Sequence, residues 1–277
     1  DLIEQAVSLA KEVDAVVMVV GTNSDWETEG NDRSTLQLPG DQDELIDRVV
    51  KANPNTVVVV NTGSPISMPW IKDTKSILQC WFPGQEFGNA LYNILFGEVN
   101  PSGKLPTTFP KSLKDTPAFN HYPGENLQMD YLEEIFVGYR WYEKEKIKPL
   151  FPFGFGLSYT SFEYSNLRII PPKQEDSAIA FSFKVTNTGG IRGKEATQCY
   201  VSVHNSSIER APKELKRFSK VDLEVGETKE LTFELTERDL SYWNESAGSW
   251  AVEPAEYRIH VGGSSEETPL EASTWLG

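Results

Sequence analysis

Ala15-Val-Val-Met-Val-Val20, followed at once by Gly21-Thr-Asn-Ser-Asp-Trp-Glu-Thr-Glu-Gly-Asn-Asp-Arg33, is the stretch on which the fold turns. An unbroken aliphatic run of this length reads as a strand buried on both faces, the mark of a parallel sheet covered by helices. Ligands of such sheets bind beyond the carboxyl ends of the strands. There the chain places Asp25, Glu27, Glu29 and Asp32, together with an indole and a guanidinium. Like charges so close disfavour one another's ionisation, and a carboxyl kept protonated near neutrality can serve as a general acid.

The flanking sequence supports that strand. Leu2, Ile3, Ala6, Val7, Leu9, Ala10 and Val13 fall on one stripe of a 3.6-residue repeat and predict an amphipathic helix ahead of it. Asp41 to Ala52 reads as a second helix, opened by Pro39-Gly40 with acids in its first turn and closed by Asn53-Pro54. Thr56 to Asn61 is a second strand, stopped by Gly63-Ser-Pro65; Ser76 to Phe82 is a third, stopped by Pro83-Gly84; Glu86 to Phe96 is a helix. Repeated βα units predict an α/β fold with a largely parallel sheet over residues 1–110.

Residues 111–158 lose that rhythm and are rich in aromatics, Pro and Gly, as in Phe151-Pro-Phe-Gly-Phe-Gly-Leu-Ser-Tyr159. So many rings reward burial, which predicts an ordered connecting arm. From residue 159 to 277 the period becomes two: Phe181–Asn187, Gln198–His204, Thr228–Leu235 and Glu256–Val261 alternate apolar and polar side chains between turns. That pattern predicts an antiparallel β-sandwich, with no catalytic cluster in it.

Composition narrows the function. With 41 acidic against 26 basic side chains the formal charge is −15, which argues against nucleic acid and anionic membranes as partners. No apolar run approaches the roughly 20 residues that span a bilayer. Cys80 and Cys199 are the two cysteines, one per predicted domain, and read as buried free thiols. Asn205-Ser-Ser207 and Asn244-Glu-Ser246 would accept N-glycans in a secreted chain; the compartment stays open. Asp1 is not an initiator Met, so the chain is expected to be a piece of something longer.

Four segments in order, Asp25–Arg33, Pro101-Ser-Gly-Lys-Leu-Pro-Thr-Thr-Phe-Pro110, Ile135-Phe-Val-Gly-Tyr-Arg-Trp-Tyr142 and Pro152–Tyr159, resemble the carboxyl-terminal part of family 3 glycoside hydrolases, particularly β-glucosidases. The resemblance covers essentially the whole chain. It implies a three-layer α/β sandwich, partly complete, followed by an immunoglobulin-like, fibronectin type III-like sandwich. It also implies a retaining glycosidase with an aspartate nucleophile and a glutamate acid/base, carboxyls about 5 to 5.5 Å apart. The nucleophile belongs to an amino-terminal barrel domain outside this sequence, and the acid/base to a loop like the one here. In the Glu-Gly-Tyr-Asp-Arg variant of that loop the Glu matches Glu29 and the Gly matches Gly30, so Glu29 is the expected proton donor. Asn31 replaces the Tyr. Implied partners are a β-glucoside or short oligosaccharide and the barrel, with no cofactor and no metal; a homo-oligomer is allowed.

The remaining loop residues carry two readings each. Glu27 is the competing donor, with a helper carboxylate beside Glu29 preferred. Asp25, Asp32 and Arg33 could contact sugar hydroxyls, but an adjacent acid and base more often brace a loop. Trp26 could stack on a sugar face or anchor the loop, with equal weight. Trp70 and Trp81 read as packing. Gly154 and Gly156 lack the strand, helix and Lys of a phosphate loop, and His121, His204 and His260 are too scattered for a metal site. The alternatives to a β-glucosidase portion are a non-catalytic carbohydrate-binding or assembly module and a β-xylosidase of the same family.

Overall fold

Val16–Gly21 (β1), Thr56–Asn61 (β2) and Ser76–Gln79 (β3) form a parallel sheet in the order β1-β2-β3, in register from Val16 opposite Thr56 to Gly21 opposite Asn61. The computed structural model describes residues 1–30 and 32–277. They fall into two units: Asp1–Tyr92 with Phe109–Phe119, and Asn93–Thr108 with Asn120–Gly277.

In the first unit the central strand behaves as its sequence predicts, with Val58, Val59 and Val60 fully buried. The helices Leu2–Glu12 (α1) and Gln42–Ala52 (α2) follow the expected spacing, as does Phe87–Leu95 (α3), which runs across the boundary between the units at Tyr92. Asp1 caps α1 through its side chain, which accepts from the Ile3 N–H at 3.0 Å. Helix α2 buries Ile46, Val49 and Val50 and stops at Asn53, where the following Pro54 forces extended backbone. The Asn53 amide then donates to the Ala10 and Val13 carbonyls, each at 2.9 Å, so the end of α2 also secures the end of α1.

Three local expectations change. Strand β1 is buried on one face only: Met18 and Val20 are inside, whereas Val17 and Val19 are 51% and 54% exposed. Within this chain the valine run is therefore covered on one face only. The apolar stripe of α1 is likewise narrower than its periodicity, with Ala10 buried but Leu2 and Leu9 exposed. The third strand ends at Gln79, and Cys80 adds one more hydrogen bond to the Val60 carbonyl at 2.8 Å. Trp81 then turns left-handed at φ 56°, which breaks the extended path before Pro83.

The second unit is built on a β-sandwich. Helix α4 (Tyr139–Lys144) precedes the strands Phe162–Ile170 (β4), Ser177–Asn187 (β5), Gly193–His204 (β6), Glu214–Leu223 (β7) and Thr228–Thr236 (β8). A short helix Glu237–Leu240 (α5) leads into the hairpin Tyr242–Asn244 (β9) and Ser249–Ala251 (β10), then Ala255–Gly262 (β11) and Leu270–Leu276 (β12). The two sheets run β12-β11-β6-β7 and β4-β5-β8, all antiparallel. Phe181, Phe183, Leu223, Leu235, Tyr257 and Ile259 fill the space between them. Full burial of each large side chain contributes about 1.5–3 kcal/mol.

Of the motif-rich stretch 101–159, residues 101–108 and 120–159 belong to the second unit and Phe109–Phe119 to the first. Leu105 and the Pro152–Phe155 turn pair through backbone hydrogen bonds of 2.8 Å. The Gln198 amide donates to the carbonyls of Gly154 (3.1 Å) and Gly263 (2.6 Å), while its oxygen accepts from the Tyr200 hydroxyl at 2.6 Å. Gly154 sits at φ 80° with a Cβ position only 2.0 Å from that Gln198 oxygen, so glycine is required there on two counts. Turn chemistry is thus what this glycine does. Both cysteines are free; Cys199 is buried and Cys80 half-buried, and burial pushes both thiols above their ordinary range.

Candidate active-site loop

The loop begins where β1 is pinned. The Gly21 N–H donates to the Gln42 side-chain oxygen at 2.8 Å, and the Gln42 amide returns donors to the carbonyls of Gly21 (2.9 Å) and Pro39 (3.0 Å). A Cβ on Gly21 would lie 2.1 Å from the Asn61 carbonyl oxygen, so the closeness of β1 and β2 at this end demands glycine. The first residue of α2 and the last of β1 are therefore one hydrogen-bonded corner.

Asn23 turns the chain next. Its side-chain oxygen accepts from the N–H groups of Asp25 (3.1 Å) and Trp26 (3.2 Å), and its carbonyl accepts from Trp26 (3.0 Å) and Glu27 (2.9 Å). This reversal carries the Glu27 side chain back toward the strand ends. There Glu27 Oε1 accepts from the Thr22 hydroxyl and from the Gly63 N–H, the latter at 2.9 Å. Six residues later Arg33 Nη1 donates to the Ser64 hydroxyl at 2.7 Å. Burial pulls the Arg33 guanidinium below its ordinary range, against the opposing charge of Glu27.

Between these two attachments Thr28, Glu29, Gly30 and Asp32 are exposed, and among the described residues no atom beyond its chain neighbours lies within 4 Å of a Cβ position on Gly30. Trp26, Glu27, Glu29, Asp32, Arg33 and Ser64 border an open concavity of about 440 Å³. Glu29 and Glu27, the two donor candidates, thus share one concavity but differ in surroundings: Glu29 is exposed, and Glu27 is half-buried and hydrogen-bonded. Asp25 is exposed and does not border the concavity. Trp26 is half-buried, and its indole N–H, like Nε and Nη2 of Arg33, is buried without a hydrogen-bond partner among the described residues. Asn31 lies outside the described residues.

Sequence reasoning missed the other side of the loop. Gly63 and Ser64 read only as a strand stop, yet they receive both Glu27 and Arg33. The available signal was position: a Gly-Ser pair at the carboxyl end of the central strand of a parallel sheet. Phe82, 55% exposed, also meets Gly63. Trp70 is buried and donates to Asp43 at 2.8 Å, and Trp81 packs edge-on against Phe109 at 6.0 Å, both as packing groups.

In the second unit another concavity, of about 380 Å³, is bordered by Tyr139, Tyr142, Glu143, Lys146 and Ser265 among others. Burial raises the Glu143 carboxyl, opposed by Lys213 at 3.1 Å.

Known proteins carry the same architecture. Residues 1–159 match the model of the glycosyl hydrolase family 3 C-terminal domain, and residues 195–265 match that of the fibronectin type III-like domain. The fold class is therefore an α/β sandwich domain followed by a fibronectin type III-like β-sandwich. The chain belongs to glycoside hydrolase family 3. It is 44% identical over 274 residues to thermostable beta-glucosidase B of Acetivibrio thermocellus, covering 99% of this chain and 36% of that protein. Against the crystal structure of the beta-glucosidase of Kluyveromyces marxianus in complex with glucose the TM-score is 0.93 at 44% identity, covering 99% of this chain and 33% of that one. Beta-glucosidase 3B of Thermotoga neapolitana, solved with glucose, gives a TM-score of 0.89 at 36% identity, covering 99% of this chain and 39% of that one. The chain thus spans about a third of the length of the curated relatives it matches.

Proposed function

We propose that this chain supplies the proton-donor half of a retaining, exo-acting β-glucosidase that removes terminal β-linked glucose from the nonreducing ends of short oligosaccharides or aryl glucosides. Glu29 is the general acid that protonates the leaving oxygen and then the base that activates water; an aspartate on a barrel domain outside this sequence attacks the anomeric carbon. The observation that carries this reading is the placement of Glu29: exposed, in an open concavity at the carboxyl edge of a parallel sheet, with a glutamate and an arginine on either side tied down to the next strand end. Exposure suits a carboxyl completed by a second domain, because a group that must reach a substrate cannot be enclosed by its own. Asp32 and Trp26 border the same concavity and are the loop's candidates for contact with the leaving group.

Without the nucleophile this chain alone turns over no β-glucoside. In the full-length polypeptide, Glu29→Ala lowers kcat/KM on unactivated glycosides by about 10²–10⁴-fold, the span of general acid catalysis, and much less on dinitrophenyl glucosides, whose leaving groups need no proton. Steady-state kinetics on both substrate classes decides it. Robust hydrolysis by the pure chain, or equal losses on both classes, refutes the assignment.

A further inference from the structure

We propose that the Gly63–Ser64 turn is a two-point clamp and that Glu27 and Arg33 are positioning residues which hold Glu29 through it. The inference rests on Glu29 being the proton donor and adds what fixes its aim.

A carboxyl on a long loop has no fixed position unless the loop is tethered close to it on both sides. Here the tethers come two residues before Glu29 and four after, and both end on adjacent residues of one turn. On the near side, Glu27 Oε1 takes two donors, the Thr22 hydroxyl of its own strand end and the Gly63 N–H at 2.9 Å. On the far side, Arg33 gives Nη1 to the Ser64 hydroxyl at 2.7 Å. Ser64 in turn accepts from the Thr62 hydroxyl through its carbonyl at 3.0 Å, which stiffens the turn that receives both.

Gly63 is the point of least tolerance. A Cβ there would stand 2.4 Å from Glu27 Oε2 and 2.7 Å from the Phe82 ring, both well inside contact distance. Its φ is not left-handed, so the requirement for glycine is one of space and not of backbone conformation. The carboxylate of Glu27 and the ring of Phe82 both occupy the space a Gly63 Cβ would need, so an added methyl has to displace them. Glu27 thus acts as a hydrogen-bond acceptor that locates the loop, a role different from a neighbouring charge that tunes Glu29.

The test uses the full-length enzyme and a series of aryl β-glucosides graded by leaving-group acidity, with kcat/KM as the readout. Gly63→Ala and Glu27→Ala lose about 10- to 100-fold on the poorest leaving group, a fraction of full acid catalysis, and change little on the most activated one, so that the leaving-group dependence steepens. Ser64→Ala, which removes the far anchor without adding volume, moves the slope in the same direction. Glu27→Gln keeps the accepting oxygen and restores the wild-type slope, with the alkaline limb of the pH profile unmoved. Uniform loss across the series, no loss, or a Glu27→Gln variant that behaves as Glu27→Ala with a displaced alkaline limb overturns the clamp. Glu29→Ala run alongside separates the two ideas. If it shows no leaving-group dependence, the donor assignment itself has failed; if it does and the clamp variants do not, only the clamp has.

Discussion

Glu27 in the first unit and Glu195 in the second are both carboxylates that hold connecting segments, yet their surroundings set them to different tasks. Glu27 is half-buried and bonded to a hydroxyl and a backbone N–H. Glu195 is 5% exposed; its Oε1 accepts from the Tyr164 hydroxyl at 2.8 Å and faces Lys104 Nζ at 3.2 Å. Lys104 also donates to the Gly156 carbonyl at 3.1 Å, which ties two of the motif segments to strand β6. A charge enclosed by protein cannot fall back on water, so losing its partner is a folding problem. A charge at the rim of a concavity can be rehydrated, and its loss registers in what the loop does.

The largest effect is on the buried pair: Lys104→Met strands Glu195 and lowers unfolding stability by about 3–5 kcal/mol, read from urea midpoints at pH 7. Adding Glu195→Gln to it recovers much of the loss, because the stranded charge is gone. Glu27→Ala is next. Its hydrogen bonds are charge-assisted but partly wet, and their removal costs about 1–2 kcal/mol of stability. If that variant unfolds as easily as Lys104→Met, burial is not what separates the two sites.

The smallest effect concerns pH. Burial holds the His260 imidazole below its ordinary value against the pull of Glu271, and its Nε2 lies 2.8 Å from the Ser202 hydroxyl. A histidine with a lowered folded pKa contributes stability that is present above the unfolded value near 6.5 and is lost as pH falls through the folded one. Urea midpoints therefore decline between pH 7 and 5, and His260→Gln flattens part of that decline. A decline unchanged by the substitution assigns it to other groups.

Local patterns were legible where the physics is local. Thr56–Asn61 has the bounds its sequence predicts, because five β-branched residues in a row followed by Asn, Thr and Gly leave little choice. Helix α2 lies within one residue of its expectation for the same kind of reason, a helical stripe bounded by Gly40 and Pro54. The family segments, too, were legible as words. The failures lie where neighbours distant in the chain decide: the open face of Val17 and Val19, the exposed Leu2 and Leu9, and the left-handed Trp81 that shortens the third strand. The site divides the same way. Glu29 and Glu27 stood out as carboxylates crowded in a loop, whereas Gln42, Gly63 and Ser64 carry no chemical label and matter through hydrogen bonds spanning 21 to 36 positions.

A βα domain ahead of a β-sandwich, with a charged loop after the first strand, could be read from residue order alone, because side-chain periodicity is a property of neighbours along the backbone. Which carboxylate turns inward, Glu27, and which stays in solvent, Glu29, is set by the folded chain. That choice depends on the two strand ends meeting at Gly21 and Asn61 and on a bare Cα at Gly63, where a carboxylate can approach only because no side chain is in the way.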